Sequence, residues 1–175
     1  TEAIPLEFSV TAAYNVGLAQ IGFVVVTFGH RGGCPMRDKW YHTFGYNNLR
    51  DYPLADDKCG IEQLADRFSF IDKSKVGIFG HSGGGFMSTA ALCTYPDFYT
   101  AAVSSAGNHD NNIYNQWWGE THHGVREVKS FEKKTVKDSI TGKDTTVSVE
   151  KIKFETKIPT NIELAKNLKG YLMLV

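Results

Sequence analysis

The sequence predicts an α/β fold: a mostly parallel sheet with helices on both faces and a β-hairpin inserted on its surface. Three observations predict it. Apolar runs of strand length, at 23–28, 75–79, 99–105 and 170–175, alternate with helix-patterned stretches, the rhythm of a parallel sheet buried by its crossovers. The second run leads into Gly80-His81-Ser82-Gly83-Gly84 and then directly into a small-residue helix. From Val125 to Lys157 the composition turns to Lys, Glu, Thr and Val, alternating on each side of Thr141-Gly142, which reads as a charged hairpin.

Taken in order, Phe8 to Gly22 reads as a helix, with Phe8, Ala12, Val16 and Ala19 at helical spacing. Phe23-Val24-Val25-Val26-Thr27-Phe28 follows as a fully buried strand. Gly29-His30-Arg31-Gly32-Gly33 is then a loop at the strand's carboxyl end, where open α/β sheets gather their ligands. Arg31 reads as a loop-tying hydrogen-bond donor rather than a substrate contact. Residues 34 to 52 look irregular and surface-lying. Leu54 to Ala65 forms an amphipathic helix with Pro53 in its first turn, and Asp56 and Asp57 are expected as helix-start charges.

Lys75-Val76-Gly77-Ile78-Phe79 is a buried strand, and Gly85 to Tyr95 a helix closed by Pro96. Strand, tight turn and helix around Gly-x-Ser-x-Gly make a nucleophile elbow, so the expected class is a partial α/β-hydrolase fold. Gly80 and Gly84 are expected to flank Ser82 because only hydrogen side chains fit the strained turn. Ser82 is thereby the candidate nucleophile, and the Gly83 N–H the candidate donor to a developing oxyanion. A chance match to the bare pattern is the competing reading, and the strand-to-helix context weighs against it.

Tyr99 to Ser105 is the next buried strand. It runs into a polar and aromatic loop from Ala106 to His123, placed either to wall a substrate pocket or to pack for stability. His122-His123 is weak evidence for a metal, since no third ligand has fixed spacing. Pro159 to Leu168 reads as a short helix and Gly170 to Val175 as a last buried strand, an odd natural terminus for a chain.

Composition bounds the function. At 175 residues the chain can hold one real core, and 19 basic against 19 acidic residues leave no electrostatic footprint for nucleic acid. No apolar run is long enough to span a bilayer. Thr1-Glu2-Ala3-Ile4-Pro5 lacks the basic start of a signal peptide, and the missing Met reads as a trimmed or internal fragment. Cys34, Cys59 and Cys93 show no metal spacing; Cys59 and Cys93 are expected as buried thiols. No cofactor is implied, because covalent serine chemistry needs none.

Asn48-Leu49-Arg50-Asp51-Tyr52, the helix through Gln63-Leu64, Phe70-Ile71-Asp72 and Val76 to Gly85 together resemble the catalytic domain of the prolyl oligopeptidase family of serine peptidases. Within that family the resemblance is to bacterial dipeptidyl peptidase IV-like and acylaminoacyl-peptidase-like members, and it runs from about Ala12 to Val175. It implies Ser82 as nucleophile, the Gly83 N–H as one oxyanion donor, and Tyr114, with Asn112 and Trp117, as walls of the substrate pocket. The family's Asp-Gly-Arg-Gly loop is represented by Phe28-Gly29-His30-Arg31-Gly32. The resemblance places the second oxyanion donor and the β-propeller before Thr1, and the catalytic acid and histidine after Val175. It implies a peptide substrate and a parent that is homodimeric through other segments; an extracytoplasmic location suits the bacterial relatives.

Within the 175 residues, candidates for a substitute acid after Ser82 are Asp97 and Asp110, and for a base His109, His122 and His123. The leading expectation is a piece of a serine exopeptidase that releases dipeptides from amino-termini, inactive or nearly so in isolation. The alternatives are an esterase or acyl-peptide hydrolase of the same fold, and a non-catalytic α/β module.

Overall fold

The computed structural model describes residues 13–33 and 37–175, so Phe8 to Ala12 of the expected first helix, and Cys34, lie outside the described residues. Helix α1 spans Ala13–Gln20 and ends at Gly22, whose φ of 101° no β-carbon tolerates well. A single-turn helix, α2 (Lys39–His42), interrupts the stretch expected to be irregular, started by Asp38, whose carboxylate accepts from the Tyr41 N–H. Helix α3 (Leu54–Arg67) follows with Pro53 as its N-cap residue and Asp56 and Asp57 in its first turn.

Three parallel strands carry the site. β1 (Val76–His81), β2 (Tyr99–Ser105) and β5 (Tyr171–Leu174) form a sheet in the order β1-β2-β5, with Phe79 opposite Val103 and Val103 opposite Met173. Helix α4 (Gly83–Thr94) makes the crossover from β1 to β2. Its run of Ala90, Ala91, Leu92 and Cys93 is wholly buried. The core closes around Leu54, Val76, Ala90 to Leu92, Tyr99 and Ala102, with Ile61, Met87 and Leu172 packed against them. Small residues on α4 let the helix lie close on the sheet. The chain then continues through α5 (Gln116–His123) to an antiparallel ribbon of β3 (Arg126–Lys137) and β4 (Asp144–Glu155). A 3-10 helix (Ile162–Asn167) leads back to β5.

Four expectations are corrected. Phe23 to Phe28 forms no strand. A cleft of about 350 Å³, lined by Phe23 to Val26 on one side and Val76 and Gly77 on the other, separates this run from β1. Pairing requires backbones about 4.8 Å apart, and Phe23 and Val24 remain exposed. β1 and β5 are edge strands of the described sheet rather than buried ones, which leaves Tyr171, Met173 and Leu174 exposed. Residues 116–123, read as loop, are the helix α5. Cys59 is exposed, while Cys93 is buried as expected.

The hairpin meets its expectation. Gly142 takes φ 66° in the connection, and the Asp138 carboxylate accepts from the N–H groups of Ile140 and Thr141. Cross-strand pairs of Lys129 with Glu150 and Lys151 with Glu132 line its exposed faces. No described helix is long and apolar enough to cross a membrane.

Candidate active site

Ser82 sits at the carboxyl end of β1 with φ 56° and ψ −117°, a conformation that few non-glycine residues adopt. What holds it there is backbone pairing on both sides: the Ser82 N–H donates to the Ser105 carbonyl at 2.8 Å, and the Ser82 carbonyl accepts from the Phe86 N–H at 3.0 Å. Strain of this kind persists only where the surroundings over-determine it. Serine at a helix N-cap ordinarily turns its hydroxyl onto the helix backbone. Here it makes no such bond, so the exposed hydroxyl stays available for chemistry.

The glycines have separable duties. A β-carbon on Gly80 would lie 2.5 Å from the backbone of Gly84, and one on Gly85 would lie 2.6 Å from the Ser105 carbonyl oxygen. Those two positions let strand, turn and helix close on one another. Gly84 itself has open space around its β-carbon site, so steric need falls on Gly85 rather than Gly84, a correction to the expected pair. Gly83 is the first residue of α4; its N–H lies beyond the reach of intrahelical acceptors and its α-carbon faces open space. Gly83 opens α4 directly after Ser82, and a helix amino end carries partial positive charge.

β2 delivers the next segment to the same end of the sheet, since Ser105 pairs with His81 across the register. From there, Tyr114 and Trp117 are both exposed, and the Tyr114 ring meets Trp118 edge-on at 5.9 Å. Trp118 also packs on the His122 ring at 4.7 Å. Asn112 is committed elsewhere: its amide donates to the Ile158 carbonyl at 2.8 Å and accepts from the Ile158 N–H at 2.9 Å. That exchange mimics one rung of a β-ladder and ties the loop to the strand-exit of the hairpin.

Each histidine has its own place. His81 Nδ1 lies 3.0 Å from the Ser105 hydroxyl, His30 Nδ1 lies 3.1 Å from the Arg31 carbonyl, and His109 contacts Ser104 and Asn161. His123 is fully buried with neither ring nitrogen bonded, and burial pushes it down to about 4. Among the described residues no imidazole reaches the Ser82 hydroxyl, and no cluster of His, Cys, Asp and Glu could hold a metal.

Around the 29–33 loop, Arg31 grips Asp56 with Nε and Nη2 while its backbone N–H donates to the same carboxylate, so Arg31 ties the loop as expected. The paired guanidinium holds Asp56 below the usual carboxylate range. Asp57 behaves oppositely: burial pushes it up to about 6. Asp56 and Asp57 are therefore more than interchangeable helix-start charges.

The profile of the prolyl oligopeptidase family matches residues 8–141. The chain belongs to the prolyl oligopeptidase family. The elbow at Ser82 lies inside the matched region. Human dipeptidyl peptidase 8 is 37% identical over 89 residues, covering 51% of this chain and 10% of that protein; the mouse protein is 36% identical over the same length. The chain thus spans about a tenth of the length of the curated relatives it matches. Dipeptidyl peptidase 4 of Porphyromonas gingivalis superposes with a TM-score of 0.55 at 18% identity, over 78% of this chain and 16% of that one. Acylaminoacyl peptidase of Pyrococcus horikoshii superposes with a TM-score of 0.50 at 17% identity, over 83% of this chain and 21% of that one. At those identities the structures share the α/β-hydrolase fold. The sequence patterns that carried the resemblance were local ones, and family membership bears them out.

Proposed function

We propose that Ser82 is the nucleophile of a peptidase that removes dipeptides from peptide amino-termini through an acyl-enzyme. The observation carrying this reading is the strained, uncapped serine at the β1–α4 turn, in a chain of this family. In the reaction the Ser82 oxygen attacks the scissile carbonyl carbon as a base takes its proton, and the carbonyl oxygen gains the negative charge. The Gly83 N–H stabilises that oxygen; one such donor is worth about 10²–10³ in rate. As the protonated base gives its proton to the scissile nitrogen, collapse expels the amine of the shortened peptide; water, deprotonated by the same base, then releases the dipeptide and Ser82 regains its proton.

Tyr114 and Trp117 supply exposed aromatic surface on the segment leaving β2, suited to an apolar side chain beside the scissile bond. The dipeptide preference draws support from the dipeptidyl peptidase relatives. Base and acid come from polypeptide outside these 175 residues in this reading, so the isolated chain reacts slowly or not at all. A second reading, cleavage of acylated amino-termini, is favoured by the likeness to an acylaminoacyl peptidase.

Full-length gene product assayed on Gly-Pro-arylamide and on acetyl-alanine-arylamide separates the two. Cleavage of the free-amine substrate, abolished by Ser82→Ala, is expected. Turnover confined to the acetylated substrate transfers the proposal to the second reading, and turnover unchanged by Ser82→Ala removes both.

A further inference from the structure

Behind the elbow, three polar side chains meet, two from β2 and the segment leaving it and one from beyond the hairpin. Ser104 is on β2, His109 on the segment that follows it, and Asn161 just before the 3-10 helix; Ser104 and Asn161 are almost wholly buried. The Ser104 hydroxyl donates to the Gly85 carbonyl at 2.8 Å. The Asn161 amide nitrogen donates to the Phe86 carbonyl at 2.7 Å. Both acceptors belong to the first turn of α4, the turn that presents the Gly83 N–H. His109 bridges the two donors, with Nε2 at 3.4 Å from the Ser104 oxygen and Nδ1 at 3.0 Å from the Asn161 nitrogen.

Hydrogen-bond chemistry settles the protons. A backbone carbonyl only accepts, so the Ser104 proton is committed to Gly85, and the Ser104 oxygen can only accept from His109. Nε2 therefore carries a proton. The same rule at Phe86 fixes the Asn161 amide with its nitrogen toward both partners, so Nδ1 of His109 must accept and carries none. Two independent ends of the chain of bonds dictate one tautomer. The Asn161 oxygen stays buried with no partner, which shows that the amide is held in this orientation at some expense.

We propose that Ser104, His109 and Asn161 form a tether that positions the first turn of α4, and with it the Gly83 N–H, and that it holds only while the His109 ring is neutral. An imidazolium would set an Nδ1–H against the Asn161 N–H at 3.0 Å. Turning the amide to relieve this would bring its oxygen against the Phe86 carbonyl oxygen, so either outcome frees the α4 turn. His109 is a positioning residue, and its role rests on Gly83 serving as oxyanion donor. Burial holds His109 below its ordinary value of 6.5, in keeping with a neutral ring. β2 and α4 carry no charged residue, the 3-10 helix carries Glu163 and Lys166, Asp110 follows His109 in the chain, and the cause of the shift is burial. Because the folded value is depressed, the tether contributes fully above about pH 6.5 and is lost as pH falls through the folded value.

The test uses full-length gene product, wild type and His109→Gln, whose amide oxygen can accept from Asn161 and whose nitrogen can donate to Ser104 without ever titrating. Crystal structures at about pH 7.5 and about pH 4.5 are expected to show the 109–161 contact parting in the wild type only. Labelling of Ser82 by a fluorophosphonate is expected to agree within about threefold at the higher pH, with the ratio of Gln variant to wild type rising at least fivefold at the lower. His109→Ala is expected to label about tenfold more slowly than the Gln variant at both, less than the 10²–10³ for outright loss of a donor, and so to approach the wild type at the lower pH. A wild-type contact that persists once the His109 ring is doubly protonated, as read from its ring-proton NMR shifts, overturns the proposal, as does a ratio that stays constant across that protonation. If Ser82 is labelled in neither protein, the nucleophile reading fails and the crystal structures alone decide the tether. If the Gln variant does not fold, the wild-type pair of structures decides.

Discussion

Gly85→Ala tests the elbow's construction, because two effects of known size oppose each other there. Gly85 is in the first turn of α4, where alanine is favoured over glycine by about 0.8–1 kcal/mol on helix propensity alone. The added β-carbon, however, would lie 2.6 Å from the Ser105 carbonyl oxygen and 3.0 Å from the Gly107 α-carbon. Carbon and oxygen come to rest at about 3.3–3.6 Å, so helix and strand must part by about 0.7–1 Å. Overpacking of that order costs about 1–3 kcal/mol. The displaced carbonyl is also the acceptor of the Ser82 N–H, a bond worth about 1 kcal/mol. Crowding wins, and a net loss of about 1–3 kcal/mol is expected. Gly84→Ala is the control: its β-carbon meets nothing within 4 Å, so it is expected to be neutral or more stable by up to about 1 kcal/mol. Denaturant titration of purified variants reads both. An alanine at 85 tolerated as well as one at 84 would refute the packing described around Ser82.

The other expectations concern charge and polar burial. Asp57 has a folded value raised to about 6 from 3.8, so its contribution is present below about pH 4 and is lost as pH rises through 6; Asp57→Asn should therefore raise the unfolding midpoint more at pH 8 than at pH 4. His123 is depressed to about 4, so its contribution is present above 6.5 and lost as pH falls toward 4. His123→Phe removes a buried ring whose nitrogens have no partners, and thermal melts should show no loss at pH 7 and a gain at pH 5. Asn112→Ala leaves both backbone groups of Ile158 unpaired, so a loss of about 1–3 kcal/mol is expected with KM unaltered. A raised KM with unchanged stability would instead make Asn112 a substrate contact.

What could be read beforehand was local. Thr141-Gly142 announces a hairpin turn because glycine is needed at φ 66°, and Gly-x-Ser-x-Gly between an apolar run and alanines announces the elbow. Helix α5 carries little signal in the sequence, because Gly119 interrupts it and no side chain caps its start. Phe23 to Phe28 has the composition of a strand, yet pairing depends on a neighbour that composition does not supply. Three successive glycines at 83 to 85 look alike in sequence; only the approach of Ser105 and Gly107 distinguishes the crowded one. The Asn161–His109 bond joins residues 52 apart, and nothing in either neighbourhood advertises it.

The most direct measurement is mass-spectrometric mapping of a fluorophosphonate adduct on full-length gene product and on the isolated 175-residue chain. The expected result is a single adduct at Ser82 in the full-length protein, absent in Ser82→Ala, with labelling of the isolated chain slower by at least about 10³ for want of base and acid. An adduct on any other serine, or equal rates for the two proteins, would contradict the assignment of Ser82 as a nucleophile activated from outside this segment.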